Sequence, residues 1–386
     1  MSLLITDGML RMALAAARSV GRRGVFVGVG EKTRFTSSAF SKYCKDRWVY
    51  PDPAEHPDLY YDSLLRQIEL GKYRVMFPLD EVTLGVAYRK RSELGELLHL
   101  PLPPAESFRI AQDKGLSARL ALEAGVDAPK TEFPGNLDEV PHLARKLNYP
   151  LVIKPRISSG SRGIRIVRDE AELVSTYGEI HRMYPYPVLQ EYIPLGTRYG
   201  VGILYDGSGK LRAAYAHKEV HHFPYPMGPS SAVESVWMPE LIERTKAIMD
   251  KLPWYGVAQL DFMTDPRDGI PKFMEINPRF WNSLQLSVQA GVDFPWLLYQ
   301  LAVGNPIEDV FDYKIGQICR NLLPGELLHF VQNPDRLSMD PPLWAGPSKV
   351  KDDILSWSDP MPAFGFALAC GANLFNRKLW NKLLKR

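Results

Sequence analysis

The chain has 386 residues, 45% apolar and 24% charged, with a net charge of +3, which is enough for two or three domains and a sizeable core. So small a charge, with no dense basic stripe through the central region, excludes a nucleic-acid footprint. The three cysteines, Cys44, Cys319 and Cys370, lie too far apart for a disulfide framework or a clustered zinc site and fit a reducing cytosol.

The N-terminus, Met1-Ser2-Leu3-Leu4-Ile5-Thr6-Asp7, lacks the basic start of a signal peptide. Leu3–Thr6 reads as a strand, Met9–Val20 as a helix, Val25–Val29 as a strand and Val75-Met76-Phe77-Pro78 as another, so residues 1–106 are expected to form a Rossmann-like α/β lobe. Gly21, Gly24, Gly28 and Gly30 do not make a dinucleotide fingerprint, and no NAD site is expected. Asp80 and Glu81 follow a strand C-terminus, where open α/β sheets bind ligands. They either face an amine substrate or cap the next helix. Leu100-Pro101-Leu102-Pro103-Pro104 is a stiff break that closes the lobe.

Residues 107–187 read as a small lid. Within it, Leu151-Val152-Ile153-Lys154-Pro155 is a short apolar strand ending in a lysine. The segment Arg156 to Val167 follows, a Gly/Ser loop with basic residues between two strands. Such a loop can close backbone N–H groups over phosphates while Lys154 supplies a point charge. It is not the Gly-x-x-x-x-Gly-Lys-Ser/Thr phosphate loop, because the lysine precedes the glycines and no helix follows at once. A plain hairpin loop is the alternative.

Residues 188–305 read as the lobe carrying hinge and metal strands. Val188-Leu189-Gln190-Glu191-Tyr192-Ile193-Pro194 suits an adenine hinge through its backbone and Glu191, or is simply a connecting strand. His217, His221 and His222 form a weak zinc pattern, and Phe223 to Ser230 reads as a substrate-covering loop. Gly256 to Met263 is an apolar strand with one acid, Asp261, and the turn Asp265-Pro266-Arg267-Asp268-Gly269 follows. Phe273-Met274-Glu275-Ile276-Asn277-Pro278-Arg279 then returns, giving an antiparallel hairpin with Asp261 and Glu275 on facing strands. Alternation puts Glu275 and Asn277, with Arg279 two further on, on one face. A carboxylate and an amide carbonyl suit Mg²⁺, which takes few protein ligands and leaves the rest to phosphate oxygens. The arginine adds a fork for phosphate or acyl-phosphate.

Residues 306–386 are a C-terminal extension. Met361 to Asn376 contains no charge, and Arg377, Lys378, Lys382, Lys385 and Arg386 follow with Leu379, Trp380, Leu383 and Leu384 interleaved. The uncharged stretch is short for a membrane span. The basic end either lies on an anionic membrane surface or is a core-docking helix with a solvated face.

In this order the motifs resemble the ATP-grasp superfamily, on the side of the carbamoyl-phosphate synthase ATP-binding unit and the carboxylate–amine ligases. The matching run is Asp113-Lys114, Val152-Ile153-Lys154-Pro155, the Ser158–Ile164 loop, Gln190-Glu191-Tyr192-Ile193, Gln259-Leu260-Asp261-Phe262 and Met274 to Arg279, and it covers roughly residues 1–305. The resemblance implies an ATP-grasp fold, α/β with a Rossmann-like lobe, an α+β lid and an antiparallel-sheet catalytic lobe. It implies that Lys114 and Lys154 contact ATP phosphates and that the loop Ser158, Ser159, Gly160, Ser161 and Gly163 covers the triphosphate. Gln190, Glu191, Tyr192 and Ile193 would hold adenine. Asp261, Glu275 and Asn277 would coordinate Mg²⁺, with Mn²⁺ as the alternative ion. Arg279 would steady the transferred phosphoryl group, and Lys218 would be a basic phosphate contact. Thr197 and Arg198 stand where the resemblance implies a ribose-binding acid, which leaves the ribose contact and strict ATP preference open.

The expected function is an ATP- and Mg²⁺-dependent ligase that activates a carboxylate as an acyl-phosphate and joins it to an amine. Phosphoryl chemistry of this kind needs positioning and charge neutralisation more than a covalent nucleophile, in keeping with a sequence that has no evident Ser/His/Asp set. The alternatives are carboxyphosphate or carbamate chemistry, and a non-catalytic nucleotide-binding or membrane-associated subunit.

Overall fold

The computed structural model describes residues 1–158 and 162–374. The chain forms two compact units, one made of residues 1–102, 231–234 and 280–386, the other of residues 103–230 and 235–279.

The first unit opens with β1 (Ser2–Ile5), α1 (Arg11–Gly21), β2 (Phe26–Glu31), β3 (Cys44–Val49), α2 (Pro57–Gly71), β4 (Val75–Phe77), α3 (Glu81–Arg89) and α4 (Arg91–Leu97). The four strands make a parallel sheet in the order β3-β2-β1-β4. The buried run of β1 and the alanine-rich face of α1 follow from sequence that is apolar almost throughout, as a two-sided parallel layer requires. The glycines of β2 serve packing. A Cβ at Gly28 would lie 1.9 Å from the Tyr73 hydroxyl, and one at Gly30 would lie 2.4 Å from the Trp48 ring. Asp80 is the N-cap of α3, its carboxylate accepting from the Val82 N–H. Asp7, at the end of β1, is buried and accepts from the Leu79 and Asp80 N–H groups and from the hydroxyls of Thr83 and Tyr50, which ties the ends of β1 and β4 to α3.

The second unit contains α5 (Ala105–Gln112), α6 (Lys114–Glu123), β5 (Thr131–Glu132), α7 (Glu139–Ala144), β6 (Leu151–Lys154), β7 (Arg165–Val167), α8 (Glu170–Met183), β8 (Val188–Glu191), β9 (Arg198–Tyr205), β10 (Leu211–His222), β11 (Ser230–Ser235), α9 (Pro239–Met249), β12 (Gly256–Thr264) and β13 (Pro271–Asn277). All but the middle of β11 belong to this unit. A small antiparallel sheet runs β5-β8-β6-β7 and buries one face against α7 and α8, around Leu151, Ile153, Leu173, Tyr177 and Leu189. A larger antiparallel set runs β13-β12-β9-β10, with Val201, Ile203, Leu260, Phe262 and Phe273 packed on residues of α5, α6 and α9.

The chain then completes the first unit with α10 (Leu284–Ala290), α11 (Phe294–Ala302), β14 (Ile318–Arg320), α12 (Leu327–Gln332), β15 (Val350–Asp352) and α13 (Met361–Leu374). Ala232–Glu234 of β11 pair antiparallel with β14, and β14 pairs parallel with β15. A buried arginine fastens this late segment to the first helix. Arg18, 5% exposed, pairs with Asp359 at 2.9 Å and donates to the carbonyls of Asp353, Ile354 and Asp359. Asp359 is also held by Ser41 and the Lys42 N–H. Arg11 adds a 2.7 Å pair to Asp353. No helix among the described residues is long and apolar enough to cross a membrane. The basic segment from Arg377 to Arg386 lies outside the described residues.

Removing Arg18 leaves Asp359 buried without its cation, and breaking such a pair costs about 3–5 kcal/mol. Arg18→Ala should lower the stability of the first unit by that amount in urea unfolding, with hydrogen-exchange protection lost in α1 and around residues 353–359.

Candidate active site

The sequence places an acid near the middle of β12 and another near the end of β13, and the hairpin register sets Asp261 directly opposite Glu275 and Gln259 opposite Asn277. The next pair is Phe262 with Phe273, so Met274 is an extra residue on β13. A bulge of this kind breaks the alternation locally and re-aims side chains. Its effect is visible here, because both Met274 and Glu275 line the same cavity.

That cavity, about 240 Å³, lies within the second unit. Two lysines face the acids. Lys154 ends β6, is 5% exposed, and its amine lies 3.5 Å from the Gln190 Oε1 on the neighbouring strand β8. Lys114 is the first residue of α6, 8% exposed, with its amine 3.1 Å from Glu275 Oε2 and donating to the Ser158 carbonyl. Asp113 fixes Lys114 in place. Its carboxylate caps α6 by accepting from the Gly115 and Leu116 N–H groups and pairs with Arg156 at 2.7 Å.

The electrostatics follow from this crowding. Burial pushes the Asp261 carboxyl well above its usual range, and the facing Glu275 and nearby Glu219 add to the shift. Burial also pushes Glu275 up, but Lys114 and then Lys154 outweigh it and hold that carboxyl below its usual range. Lys154 is pulled down to about 8 by burial and by Lys114, against the opposing pull of Glu275 and Asp261. Two facing carboxylates with an adjacent amide form a hard-oxygen donor set. Asn277 donates its Nδ2 to Asp261 at 2.9 Å, which leaves its carbonyl oxygen for a ligand. A divalent cation there would offset the burial and the carboxylate repulsion that together raise Asp261, so the donor set fits Mg²⁺. Among the described residues no group of three or more His, Cys, Asp or Glu side chains gathers as a metal site. His217 is buried and pulled down to about 4, and His222 pairs with Glu219 at 3.0 Å.

The expected hinge lines the same cavity. Gln190, Glu191, Tyr192 and Ile193 all line the cavity with the apolar side chains of Ile164, Ile166 and Met263. Gln190 is buried and fixed by a 2.9 Å bond to Thr131, and the Glu191 N–H donates to the Lys130 carbonyl. The Glu191 carboxylate pairs with Arg267 at 2.8 Å. Of the expected loop residues, Ser158 lines the cavity, while Ser159, Gly160 and Ser161 lie outside the described residues. Gly163 has φ +75°, and a Cβ there would meet Pro155 and Tyr184 at 2.8 Å, so only glycine fits the loop's return.

Two expected residues are not among those lining the cavity. Lys218 sits next to Glu219 on β10, and alternation turns neighbours to opposite faces. Arg279 lies beyond the end of β13, in a turn where its N–H donates to the Asn277 carbonyl, so the face it would share in a continued strand does not exist. It still acts on Glu275 through space, helping to hold that carboxyl down. One residue that the sequence reading missed is Glu219. The β9–β10 register places Lys218 opposite Tyr199, which brings Glu219 beside Arg198, and the two pair at 2.7 Å on the cavity wall. The pairing of a strand 20 residues away was the only signal for it, and that register is not written locally.

A family sequence model described as "ATP-grasp domain" matches residues 111–283, which contain every cavity-lining residue. This segment is an ATP-grasp domain. Over 331 residues the chain is 24% identical to the carbamoyl phosphate synthase large chain of Thermotoga neapolitana, an alignment covering 79% of this chain and 28% of that one. The chain therefore spans under a third of the length of that relative. In three dimensions it resembles a biotin carboxylase from Campylobacter jejuni, with a TM-score of 0.70 and 16% identity, covering 82% of this chain and 74% of that one. It also resembles N5-carboxyaminoimidazole synthetase from Staphylococcus aureus, with a TM-score of 0.65 and 15% identity, covering 83% and 82%. At these identities the structural likenesses establish the ATP-grasp fold.

The depressed Lys154 amine carries a stability consequence with a definite sign. The unfolded chain keeps that proton up to about 10.5, whereas the folded chain releases it near 8, so stability should rise with pH across that window. Lys154→Met should therefore stabilise the ligand-free protein at pH 7 by roughly 3 kcal/mol, an advantage that fades between pH 8 and 10.5. The same variant should lose nucleotide affinity. Chemical denaturation as a function of pH, with a nucleotide titration alongside, checks both.

Proposed function

We propose that the chain is an ATP- and Mg²⁺-dependent ligase that activates a carboxylate as an acyl-phosphate and joins it to an amine. The observation that carries this reading is the juxtaposition, in one cavity, of the facing acids Asp261 and Glu275 with the buried cations Lys114 and Lys154. Acids facing one another favour a divalent ion, and lysines favour polyanionic phosphate. A cavity that offers both suits a metal-bound nucleoside triphosphate.

In this reading the hinge from Gln190 to Ile193 receives adenine through its main chain, and Lys114 and Lys154 position the phosphates. Asp261, Glu275 and Asn277 would hold Mg²⁺, which supplies charge neutralisation on the phosphate oxygens. A substrate carboxylate oxygen attacks the γ-phosphorus and ADP leaves. The amine nitrogen then attacks the acyl carbon, the C–O bond to phosphate breaks, and the nitrogen gives up a proton. Arg279, whose charge reaches Glu275, steadies the transferred group by field. Glu219 provides the ribose contact that Thr197 and Arg198 do not.

A second reading is favoured by the relatives, since carbamoyl phosphate synthase, biotin carboxylase and N5-carboxyaminoimidazole synthetase are all named for a one-carbon carbamoyl or carboxyl group. In it the activated carboxylate is bicarbonate and the intermediate carboxyphosphate. ADP release measured with amino acids and small carboxylates, singly and in pairs, and with bicarbonate separates the two. Stimulation by an acid–amine pair, with the condensed product seen by mass spectrometry, supports the ligase. Stimulation that requires bicarbonate moves the assignment to carboxyphosphate chemistry, and no ADP release with any acid overturns both in favour of a nucleotide-binding subunit.

Two substitutions test the residues. Glu275→Gln removes one of the two facing charges and should lower kcat about 10²–10³-fold with the fold retained. Near wild-type turnover at saturating Mg²⁺ would count against the metal assignment. Glu219→Gln should reduce the preference for ATP over 2′-deoxy-ATP by about tenfold, the worth of one charge-assisted hydrogen bond. An unchanged preference removes Glu219 from the ribose.

A further inference from the structure

The first unit holds a cavity of its own, about 440 Å³, that shares no residue with the cavity of the ATP-grasp domain. It lies between the end of α1, the helix α10 and the segment 347–359. That is far more space than one water occupies, about 30 Å³.

Its charged groups divide into two kinds. Asp359 is saturated by Arg18, Ser41 and the Lys42 N–H. Asp352 accepts from the Leu322, Ile354 and Leu355 N–H groups. The cations on the outer wall are not saturated. Arg22 spends only its Nε, on the Arg18 carbonyl, and Lys351 has no partner among the described residues. Both are exposed. Deeper in, Gln285 is 9% exposed, and its Oε1, like that of Gln289, is buried with no hydrogen-bond partner among the described residues. Buried acceptors of this kind are rarely left empty in folded proteins.

We propose that this cavity binds a small amino acid, its carboxylate on Arg22 and Lys351 and its ammonium on the Gln285 and Gln289 carbonyls. Two cations left unsaturated among the described residues call for an anion, and two acceptors unfilled among those residues call for an N–H or O–H donor on the same molecule. A fully deprotonated anion such as sulfate answers the first demand but brings no N–H or O–H donor for the amides. Asp352, pushed up to about 6 by burial and the neighbouring Asp353, is still largely ionised at neutral pH and complements the ammonium. The volume leaves room for a side chain as well.

The test uses the full-length protein without nucleotide. Isothermal titration with each of the twenty standard L-amino acids is followed, for the tightest, by its des-amino acid, its decarboxylated amine and inorganic phosphate. The expected result is saturable binding of one or a few amino acids, at least tenfold weaker binding of both truncated analogues, and no competition from phosphate. Arg22→Ala and Lys351→Ala, both surface changes that leave the core alone, should each weaken binding at least tenfold and leave the affinity for ATP unchanged. Gln285→Leu should do the same. The absence of any amino-acid binding, binding that survives Arg22→Ala and Lys351→Ala, or equal binding of phosphate would overturn the proposal. Because no nucleotide is present, failure of the ligase reading would leave this binding untouched, and failure here would leave ADP release untouched.

Discussion

The site is governed by one electrostatic constraint: two carboxylates that face each other across a hairpin can share a partly buried space only if positive charge is brought to them. Asp261 and Glu275 are set opposite by strand register, and register cannot be relaxed without turning every neighbour to the other face. The compensation comes from elsewhere in the domain. Lys114 arrives on the first turn of α6, Lys154 at the end of β6, and the Asp113 cap with its Arg156 partner holds the first of these in place. Even so the compensation is uneven, with Glu275 held ionised and Asp261 pushed toward its neutral form. The proposed Mg²⁺ site rests on this imbalance between the two acids.

Much of this was legible in the sequence because it is local. The turn Asp265-Pro266-Arg267-Asp268-Gly269 between two apolar runs specifies a hairpin, and the observed strands Gly256–Thr264 and Pro271–Asn277 flank it as expected. The lysine at the end of Leu151–Lys154 and the alternation of the first hundred residues were equally local. What was not legible depends on pairing between distant segments. The bulge at Met274 leaves no compositional mark, and the position of Glu219 beside Arg198 depends on the β9–β10 register. The place of Arg279 is not written locally for a related reason: spacing by two implies a shared face only while the strand lasts, and Pro278 lies just beyond its end. The Asp80-Glu81 pair was readable either as ligand or as cap, and the hydrogen bond to Val82 makes Asp80 a cap.

The first unit shows the same division between local and distant information. The glycines of β2 are conspicuous in the sequence and invite a nucleotide reading, but the reason for Gly28 and Gly30 is the approach of Tyr73 and Trp48 from segments that the sequence does not connect to them. Arg18 looks like a surface residue on an alanine-rich helix. Its burial depends on partners more than 300 positions downstream, so no window of sequence around it could have announced it.

That long reach has a consequence for how the chain is made. During synthesis from the N-terminus, α1 emerges early with a guanidinium whose acceptors do not exist until residues 353–359 have left the ribosome. The ATP-grasp domain, complete by residue 283, can close while the opening strands are still waiting for their last layer. The first unit therefore gains its last buried ion pair only after the whole of the second has been made, although the strands that open it come first in the sequence.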